Sequence, residues 1–86
     1  MMKVRLFGSK ECNECIKAFI LIQKSRVDFE YIDAMEDDTQ DLCDENMVDE
    51  LPHLQFIDNS EILMEHIGPI TANEFHQYII DYLKDY

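Results

Sequence analysis

The hydrophobic and polar positions in the first third of the chain follow two different periods. Residues 3–7 alternate polar and apolar side chains and stop at Gly8, which predicts a short β-strand. Residues 12–24 repeat their apolar positions mostly every three or four residues, which predicts an amphipathic helix with a broad buried face. The apolar positions of this helix are Cys15, Ile16, Phe19, Ile20 and Ile22. Ser25 and Arg26 interrupt the pattern, and the renewed alternation of residues 27–33 predicts a second strand.

The rest of the chain predicts a short helix, a hairpin and a terminal helix. Residues 35–50 are acidic with a thin apolar stripe, which favours a short helix over the alternative of an acidic loop. Residues 53–57 and 61–65 are apolar-rich runs joined by a brief polar turn, which predicts an antiparallel hairpin. Thr71 and Glu74 have the spacing of a capping box, and an apolar stripe then continues to the C-terminus. This stripe consists of Phe75, Tyr78, Ile79, Tyr82 and Leu83.

The predicted order β-α-β-α-β-β-α describes a single α/β domain over residues 1–86. A chain of this length buries only about 60–65% of its unfolded surface, so it has room for one modest core. Its apolar content of 47% is that of a folded globule and not of a disordered segment.

Acidic residues greatly outnumber basic ones, which excludes several classes of partner. Nineteen Asp and Glu against seven Lys and Arg give a net charge of −12, which opposes nucleic-acid phosphates and anionic lipids. The longest apolar run, residues 18–22, is far too short to span a bilayer, and residues 1–7 lack the apolar segment of a secretory signal. We therefore expect a cytoplasmic protein that binds neither nucleic acid nor membranes.

The charges are also unevenly distributed along the chain. Residues 1–26 contain six Lys or Arg and two Glu, a net charge of +4. Residues 27–86 contain one Lys and seventeen acidic residues, a net charge of −16. The positive segment either steers an acidic partner protein toward the chain or simply complements the acidic surface of the same molecule.

Cys12 and Cys15 form a C-x-x-C pair between the first predicted strand and the first predicted helix. This spacing in a cytosolic α/β chain indicates a dithiol–disulfide redox site. The unpaired N–H groups and the dipole at a helix N-terminus favour the thiolate that this chemistry needs. Lys10 adds a nearby positive charge, whereas Glu14 opposes ionisation. We expect Cys12, at the exposed end of the loop, to attack a substrate disulfide and Cys15, one turn into the helix, to resolve it.

The sequence alone leaves two other interpretations of the cysteine pair open. The cysteines are either two small buried residues or part of a metal site, and zinc needs four ligands. Further ligands would come from Cys43 and from His53, His66 or His76, although their spacings match no common zinc motif. Cys43 is more simply interpreted as a small core residue than as a second redox thiol.

The order of these motifs resembles the thioredoxin-like family and, within it, the small glutaredoxin-like proteins. The resemblance covers almost the whole chain. It rests on the strand of residues 4–8, the C-x-x-C pair that opens a helix, Leu51-Pro52 before the hairpin and Gly68 before the last helix. It implies a thioredoxin-like α/β fold, with a four-stranded mixed sheet flanked by three helices. It also implies a cis peptide bond between Leu51 and Pro52 that packs against the cysteine pair.

The resemblance further implies roles for individual residues. Cys12 is the nucleophile, Cys15 is the resolving thiol, and Lys10 is a candidate contact for a glutathione carboxylate. Gly68 lies in the loop with which glutaredoxins hold the glutamyl end of glutathione, where this chain has Pro69 in place of a second glycine.

The turn at Pro52 would expose the backbone of Leu51 to an extended substrate. His53, which follows this turn, lies near the site on this interpretation, and we expect it to be an exposed strand residue. Leu51, Pro52 and Gly68 are thus the predicted substrate-binding residues, together with Lys10.

The function that follows from the sequence is reduction of protein disulfides or glutathione-mixed disulfides by dithiol exchange. The enzyme would need no bound cofactor, and its electrons would come from glutathione or from a flavin-dependent reductase. Its partners would be disulfide-containing client proteins, and we expect it to act as a monomer. One alternative is a non-catalytic binding module of the same fold, in which the cysteines are structural or a groove recruits a partner. Another is a metal or iron–sulfur site that uses the same cysteines.

Overall fold

The computed structural model describes residues 2–83 as one four-stranded sheet with three α-helices. The strands are β1 (Met2–Gly8), β2 (Phe29–Asp33), β3 (His53–Asp58) and β4 (Glu61–Ile67). The helices are α1 (Asn13–Lys24), α2 (Gln40–Glu45) and α3 (Ala72–Tyr82), and a 3₁₀ turn at Asp37–Thr39 precedes α2. The predicted order of elements is confirmed, and the predicted course of the last helix over residues 84–86 lies outside the described residues. Within the described part of the chain, no helix combines the length and apolar character needed to cross a bilayer.

The observed starts of α1 and β2 differ by one or two residues from the predicted starts, because the backbone conformation determines where each element begins. Helix α1 begins at Asn13 because Cys12 is its N-cap, with extended backbone angles of −97° and 110°. Arg26 has a positive φ of 58° after the end of α1, and Val27 is buried in the connection that follows. Strand β2 therefore begins only at Phe29, where pairing with β1 starts.

The sheet has the strand order β2-β1-β3-β4. Strand β1 pairs with β2 in parallel and with β3 antiparallel, and β3 and β4 form an antiparallel pair. The carboxyl ends of β1, β2 and β4 therefore lie beside the amino end of β3, at the same end of the sheet. The chain leaves β1 toward Cys12 at this end, and Leu51 and Pro52 precede β3 at the same end.

Two hydrophobic clusters hold the helices on opposite faces of the sheet. The cluster beneath α1 and α3 consists of Val4, Leu6, Ala18, Ile22, Val27, Leu54, Phe56, Phe75 and Leu83. On the other face, Phe7 and Ile32 pack with Cys43 from α2. The prediction that Cys43 is a core residue is confirmed. Burial, followed by the negative charge of Asp44, raises the pKa of the Cys43 thiol and keeps it protonated.

The predicted buried face of α1 is partly wrong. Ile16 and Ile20 are each 43% exposed, whereas Cys15, Ala18 and Ile22 are buried. The apolar positions of this helix span a wider arc than one sheet face covers, so some of them must face solvent. Ile16 and Ile20 therefore leave an apolar strip on the surface of the helix.

A row of polar side chains crosses the sheet on the α2 face. Glu30, Arg5, Gln55 and Glu65 are direct partners in the registers of the four strands. Arg5 donates from Nε to Glu30 over 3.1 Å and from Nη1 to the Gln55 side chain over 3.3 Å. The Gln55 amide donates to Glu65 over 3.3 Å and to Asn46, after α2, over 2.9 Å. Gln55 is fully buried, and these partners satisfy its side-chain amide.

Candidate functional site

The two cysteines of the C-x-x-C pair are joined by a disulfide at the start of α1. Their Cα atoms are 5.2 Å apart, within the usual range for a disulfide. Cys12 caps the helix, and its Sγ accepts a hydrogen bond from the Cys15 N–H over 3.2 Å. Cys15 is only 1% exposed, whereas Cys12 is partly accessible. Cys12 is therefore the more accessible of the two cysteines, and Cys15 lies behind it.

The surroundings of Cys12 favour an ionised sulfur after reduction. The N–H that points at Sγ belongs to the first turn of a 12-residue helix, where N–H groups lack helical partners. Lys10 is exposed nearby in the chain. Glu14 forms an ion pair with Lys17 over 3.2 Å, so part of its opposing charge is neutralised. These contacts supply the electrostatic conditions for a nucleophilic thiolate.

The connection between β1 and α1 is tightly packed. The Cys12 N–H donates to the Ser9 carbonyl over 3.2 Å, and the Glu11 N–H donates to the Ser9 hydroxyl over 3.2 Å. A Cβ added at Gly8 would come within 3.2 Å of Cys15 Cβ and within 3.2 Å of Tyr31 Cε1. The absence of a side chain at Gly8 therefore lets Cys15 and Tyr31 pack onto the end of β1.

The second half of the site lies at the amino end of β3. His53 pairs with Phe7 on one side and with Ile67 on the other, which places Leu51 and Pro52 beside the end of β1. The Leu51–Pro52 peptide bond is cis. No hydrogen bond from another described residue reaches the backbone of Leu51. Its N–H and C=O are thus without a hydrogen-bond partner among the described residues.

His53 is buried, so the prediction of an exposed strand residue is wrong. It is 1% exposed, its Nε2 contacts the Glu65 carboxylate, and its ring meets Phe7 edge-on with centroids 5.6 Å apart. Its Nδ1 has no hydrogen-bond partner among the described residues. The sequence pattern could not show this burial, because β3 lies between two other strands and has helices packed on both of its faces.

Gly68 and Pro69 form a loop that is fixed to Pro52. Gly68 has a positive φ of 94°, and its N–H donates to the Pro52 carbonyl over 2.8 Å. His66 Nε2 lies 2.9 Å from the Pro69 carbonyl, which only accepts, so this nitrogen is the donor. In the neutral ring, His66 Nδ1 then accepts from the Tyr78 hydroxyl over 2.9 Å. The loop beside the site is therefore held by β4 and α3.

The N-terminus of α3, next to this loop, is capped by hydrogen bonds between two residues at the start of the helix. The Glu74 N–H donates to the Thr71 hydroxyl over 3.1 Å, and the Thr71 N–H donates to the Glu74 carboxylate over 2.9 Å. The predicted capping box is confirmed. The two hydrogen bonds from Thr71, its backbone one first, lower the pKa of the Glu74 carboxyl and keep it ionised.

The sequence did not identify three residues that line a groove beside the site. Ile16, Phe19 and Tyr31 line it together with Cys15. The spacing of Ile16 and Phe19 predicts core positions on the helix, and the alternation of residues 27–33 predicts Tyr31 only as one residue of a strand. The available signal was the width of the apolar arc on α1, which exceeds what one buried face needs.

The metal-ligand candidates of the sequence do not form a cluster of ligands with the cysteine pair in the described part of the chain. Cys43 packs on the α2 face, whereas Cys15 lies on α1 at the opposite face. His53 contacts Glu65, and His66 contacts Tyr78. Across residues 2–83, no three or more His, Cys, Asp or Glu side chains are arranged to hold a metal ion.

Comparison with known proteins places the chain among structures of one architecture. No protein-family profile and no curated protein sequence matches it. A solved malarial protein is 20% identical, with a TM-score of 0.80 over 96% of this chain and 98% of the other. Thioredoxin 1 from Thermosipho africanus is 20% identical, with a TM-score of 0.76 over 96% of each chain.

A mutant thioredoxin from Halobacterium salinarum is also similar. It is 19% identical, with a TM-score of 0.83 over 94% of this chain and 74% of the other. These similarities agree with the mixed sheet order β2-β1-β3-β4 and with its flanking helices. The chain therefore has the thioredoxin-like fold.

Proposed function

We propose that this chain is a thiol–disulfide oxidoreductase that reduces disulfides of polypeptide clients. The observation that carries the proposal is the disulfide between a helix-capping Cys12 and a buried Cys15. A backbone N–H directed at Cys12 Sγ favours the thiolate that attacks the client. The Cα atoms of the two cysteines are 5.2 Å apart, so Cys15 can then form a disulfide with Cys12. Thioredoxins are among the solved structures of this fold, which supports the same assignment.

The reaction consists of two exchanges. The Cys12 thiolate attacks one sulfur of the client disulfide, forms a mixed disulfide, and displaces the other client sulfur as a thiolate that takes up a proton. The Cys15 thiolate then attacks Cys12 Sγ, forms the Cys12–Cys15 disulfide, and releases the second client sulfur, which is protonated in turn. Two electrons pass from the enzyme dithiol to the client.

Polypeptide clients fit this site better than glutathione does. The backbone N–H and C=O of Leu51 have no partner among the described residues, and Leu51 lies beside the end of β1, from which the chain continues to Cys12. By contrast, the Gly68 N–H is used by the Pro52 carbonyl, and Pro69 has no N–H. The amino end of α3 already holds the Glu74 carboxylate, which would repel the carboxylates of glutathione.

The oxidised enzyme must regain two electrons, and the proposed donors are glutathione or a flavin-dependent reductase. The proposed reaction needs no bound cofactor, because each exchange breaks one sulfur–sulfur bond and forms another. The proposed setting is the cytoplasm, where disulfides of clients are reduced. The proposed active form is a monomer.

The role of each cysteine can be tested by trapping a client. Cys15→Ser should accumulate a stable mixed disulfide between Cys12 and the client, because the resolving thiol is missing, whereas Cys12→Ser should trap nothing. Non-reducing electrophoresis and mass spectrometry measure the adduct. Cys43→Ala is the matched control, since it removes the third thiol from the opposite face of the sheet and should retain turnover.

Two further measurements separate the proposal from its alternatives. Turnover with glutathione and turnover with a reductase should be compared on the same disulfide substrate, and activity in either supports an oxidoreductase. Inactivity with both donors, together with equally slow alkylation of Cys12 and Cys15, would contradict the proposal and favour a non-catalytic binding module.

A further inference from the structure

A groove opens beside Cys15 between α1 and the edge strand β2, and the exchange mechanism above does not use it. Its volume is about 270 Å³. Strands β2 and β3 flank β1 on opposite sides, so this groove and Pro52 lie on opposite sides of the cysteine pair. The groove is lined by Ser9, Lys10, Cys15, Ile16, Phe19 and Tyr31.

The walls of the groove are apolar although they face solvent. Ile16 is 43% exposed and Tyr31 is 36% exposed. Phe19 meets Tyr31 edge-on, with ring centroids 5.6 Å apart, and so forms a firm aromatic wall. Exposed apolar side chains that are grouped around a groove indicate a surface that receives a partner.

Lys10 gives the rim of the groove a positive charge. It is exposed and forms no ion pair with another residue of the described chain. This is notable in a protein with nineteen acidic residues. Lys17, further along α1, is already paired with Glu14. Lys10 is thus the cation at the groove that is free to meet a carboxylate.

The size of the groove indicates what it holds. Sites for small molecules and cofactors usually occupy about 300–1,000 Å³, so this groove lies just below that range. A single large side chain fits such a space, and the apolar walls select an aromatic or branched aliphatic one. The charge at the rim selects an acidic neighbour of that side chain.

We infer that the groove is a second docking subsite for the polypeptide client. It receives an aromatic or branched aliphatic side chain close to the reactive cysteine of the client, while an adjacent client carboxylate pairs with Lys10. The inference rests on the proposed thiol–disulfide exchange and defines its substrate class as disulfides flanked by apolar and acidic residues. Client contacts at Leu51 and in this groove would then lie on both sides of the cysteine pair.

Two synthetic peptides, each with one intramolecular disulfide, test the subsite. One carries Phe and Asp next to a cysteine, and the other carries Ser and Asn at the same positions. The full chain should reduce the first peptide with a kcat/KM about tenfold higher, as expected for partial burial of one large apolar side chain. Hydroxyethyl disulfide is a third substrate that reports on the exchange chemistry without flanking residues.

Variants of the groove have matched controls on the same helix or segment. Ile16→Ser should lower the ratio of the two kcat/KM values by about fivefold, and Lys10→Ala by about threefold. Ile20→Ser changes an equally exposed residue of α1 outside the groove and should leave the ratio unchanged. Lys24→Ala removes a cation at the far end of α1 and should also leave it unchanged.

The outcomes distinguish this subsite from the exchange reaction. Equal kcat/KM values for the two peptides, with hydroxyethyl disulfide still reduced, would overturn the subsite and leave the oxidoreductase standing. An equal fall of the ratio in the control variants would also overturn it, because the preference would then not depend on the groove. Failure to reduce any of the three substrates would overturn the exchange reaction itself, and the subsite with it.

Discussion

Gly8 shows how one residue shapes the surroundings of the resolving thiol. It is the last residue of β1, and both Cys15 and Tyr31 pack against the position that a side chain would occupy. Its φ is not in the left-handed region, so the requirement for glycine here is one of space and not of backbone conformation. The buried position of Cys15 and the wall of the groove therefore depend on the same missing methyl group.

Gly8→Ala should destabilise the protein by about 1–3 kcal/mol, since the new methyl group would crowd Cys15 and Tyr31 at 3.2 Å. Urea unfolding of the oxidised form measures the loss. The loss should be smaller in a Tyr31→Ala background, where one of the two crowded neighbours is absent. A loss of the same size in both backgrounds would show that Tyr31 takes no part.

At the residue scale, the sequence predicted two cysteines placed together at the start of a helix, but not what surrounds them. The spacing of Cys12 and Cys15 predicts this arrangement, because two intervening residues bring the two sulfurs within one helical turn. The burial of His53 was missed because it depends on the strands that pair on either side of β3. The groove was missed for a related reason, since Tyr31 and Ile16 meet only after β2 and α1 pack together.

Among the elements, α3 was the most predictable because its start signal is local. Thr71 and Glu74 satisfy each other across one turn, and this contact needs no tertiary partner. The hairpin of β3 and β4 was predictable for the same reason, as a short polar turn joins two apolar runs. The exposed side of α1 was not predictable, because packing against the sheet determines which part of a wide apolar arc becomes buried.

Thr71→Ala should destabilise the protein by about 1 kcal/mol, because the Glu74 N–H at the start of α3 loses its hydroxyl acceptor. Thermal or urea unfolding measures the change. Thr71→Ser keeps an acceptor at the same position and should lie close to the wild type. If both variants unfold alike, the hydroxyl contributes nothing to the stability of α3.

At the scale of the whole molecule, the polar row ties the edge strand β2 to the centre of the sheet. Burial raises the pKa of Glu30, but hydrogen bonds from Lys3 and Arg5 outweigh it and hold the pKa below the ordinary value of 4.5. A carboxyl whose pKa is lowered by folding stabilises the native state above its unfolded pKa. This contribution is lost as the pH falls through the folded pKa.

Glu30→Gln should therefore lower the free energy of unfolding by about 0.5–1 kcal/mol at pH 7, a modest value because the Glu30 side chain is 42% exposed. The difference from the wild type should shrink at a pH well below 4.5, where Glu30 is protonated in both states. Urea unfolding at the two pH values tests this. Glu61→Gln, at an exposed carboxylate of β4, is the control and should have no effect. A difference that persists in acid would rule out the ion pairs as its origin.

The same row has a consequence for how the chain finds its native sheet. Side chains alternate between the two faces of a strand. A shift of any strand by one residue in its register would therefore place all of its side chains on the opposite face of the sheet. Such a slip of β1 or β4 would carry Arg5 or Glu65 among the leucines and phenylalanines beneath α1 and α3, where an unpaired charge is very unfavourable. Mispaired sheets are thereby made far less stable than the correct one. A small protein with little stability to spare is in this way kept to a single alignment of its four strands.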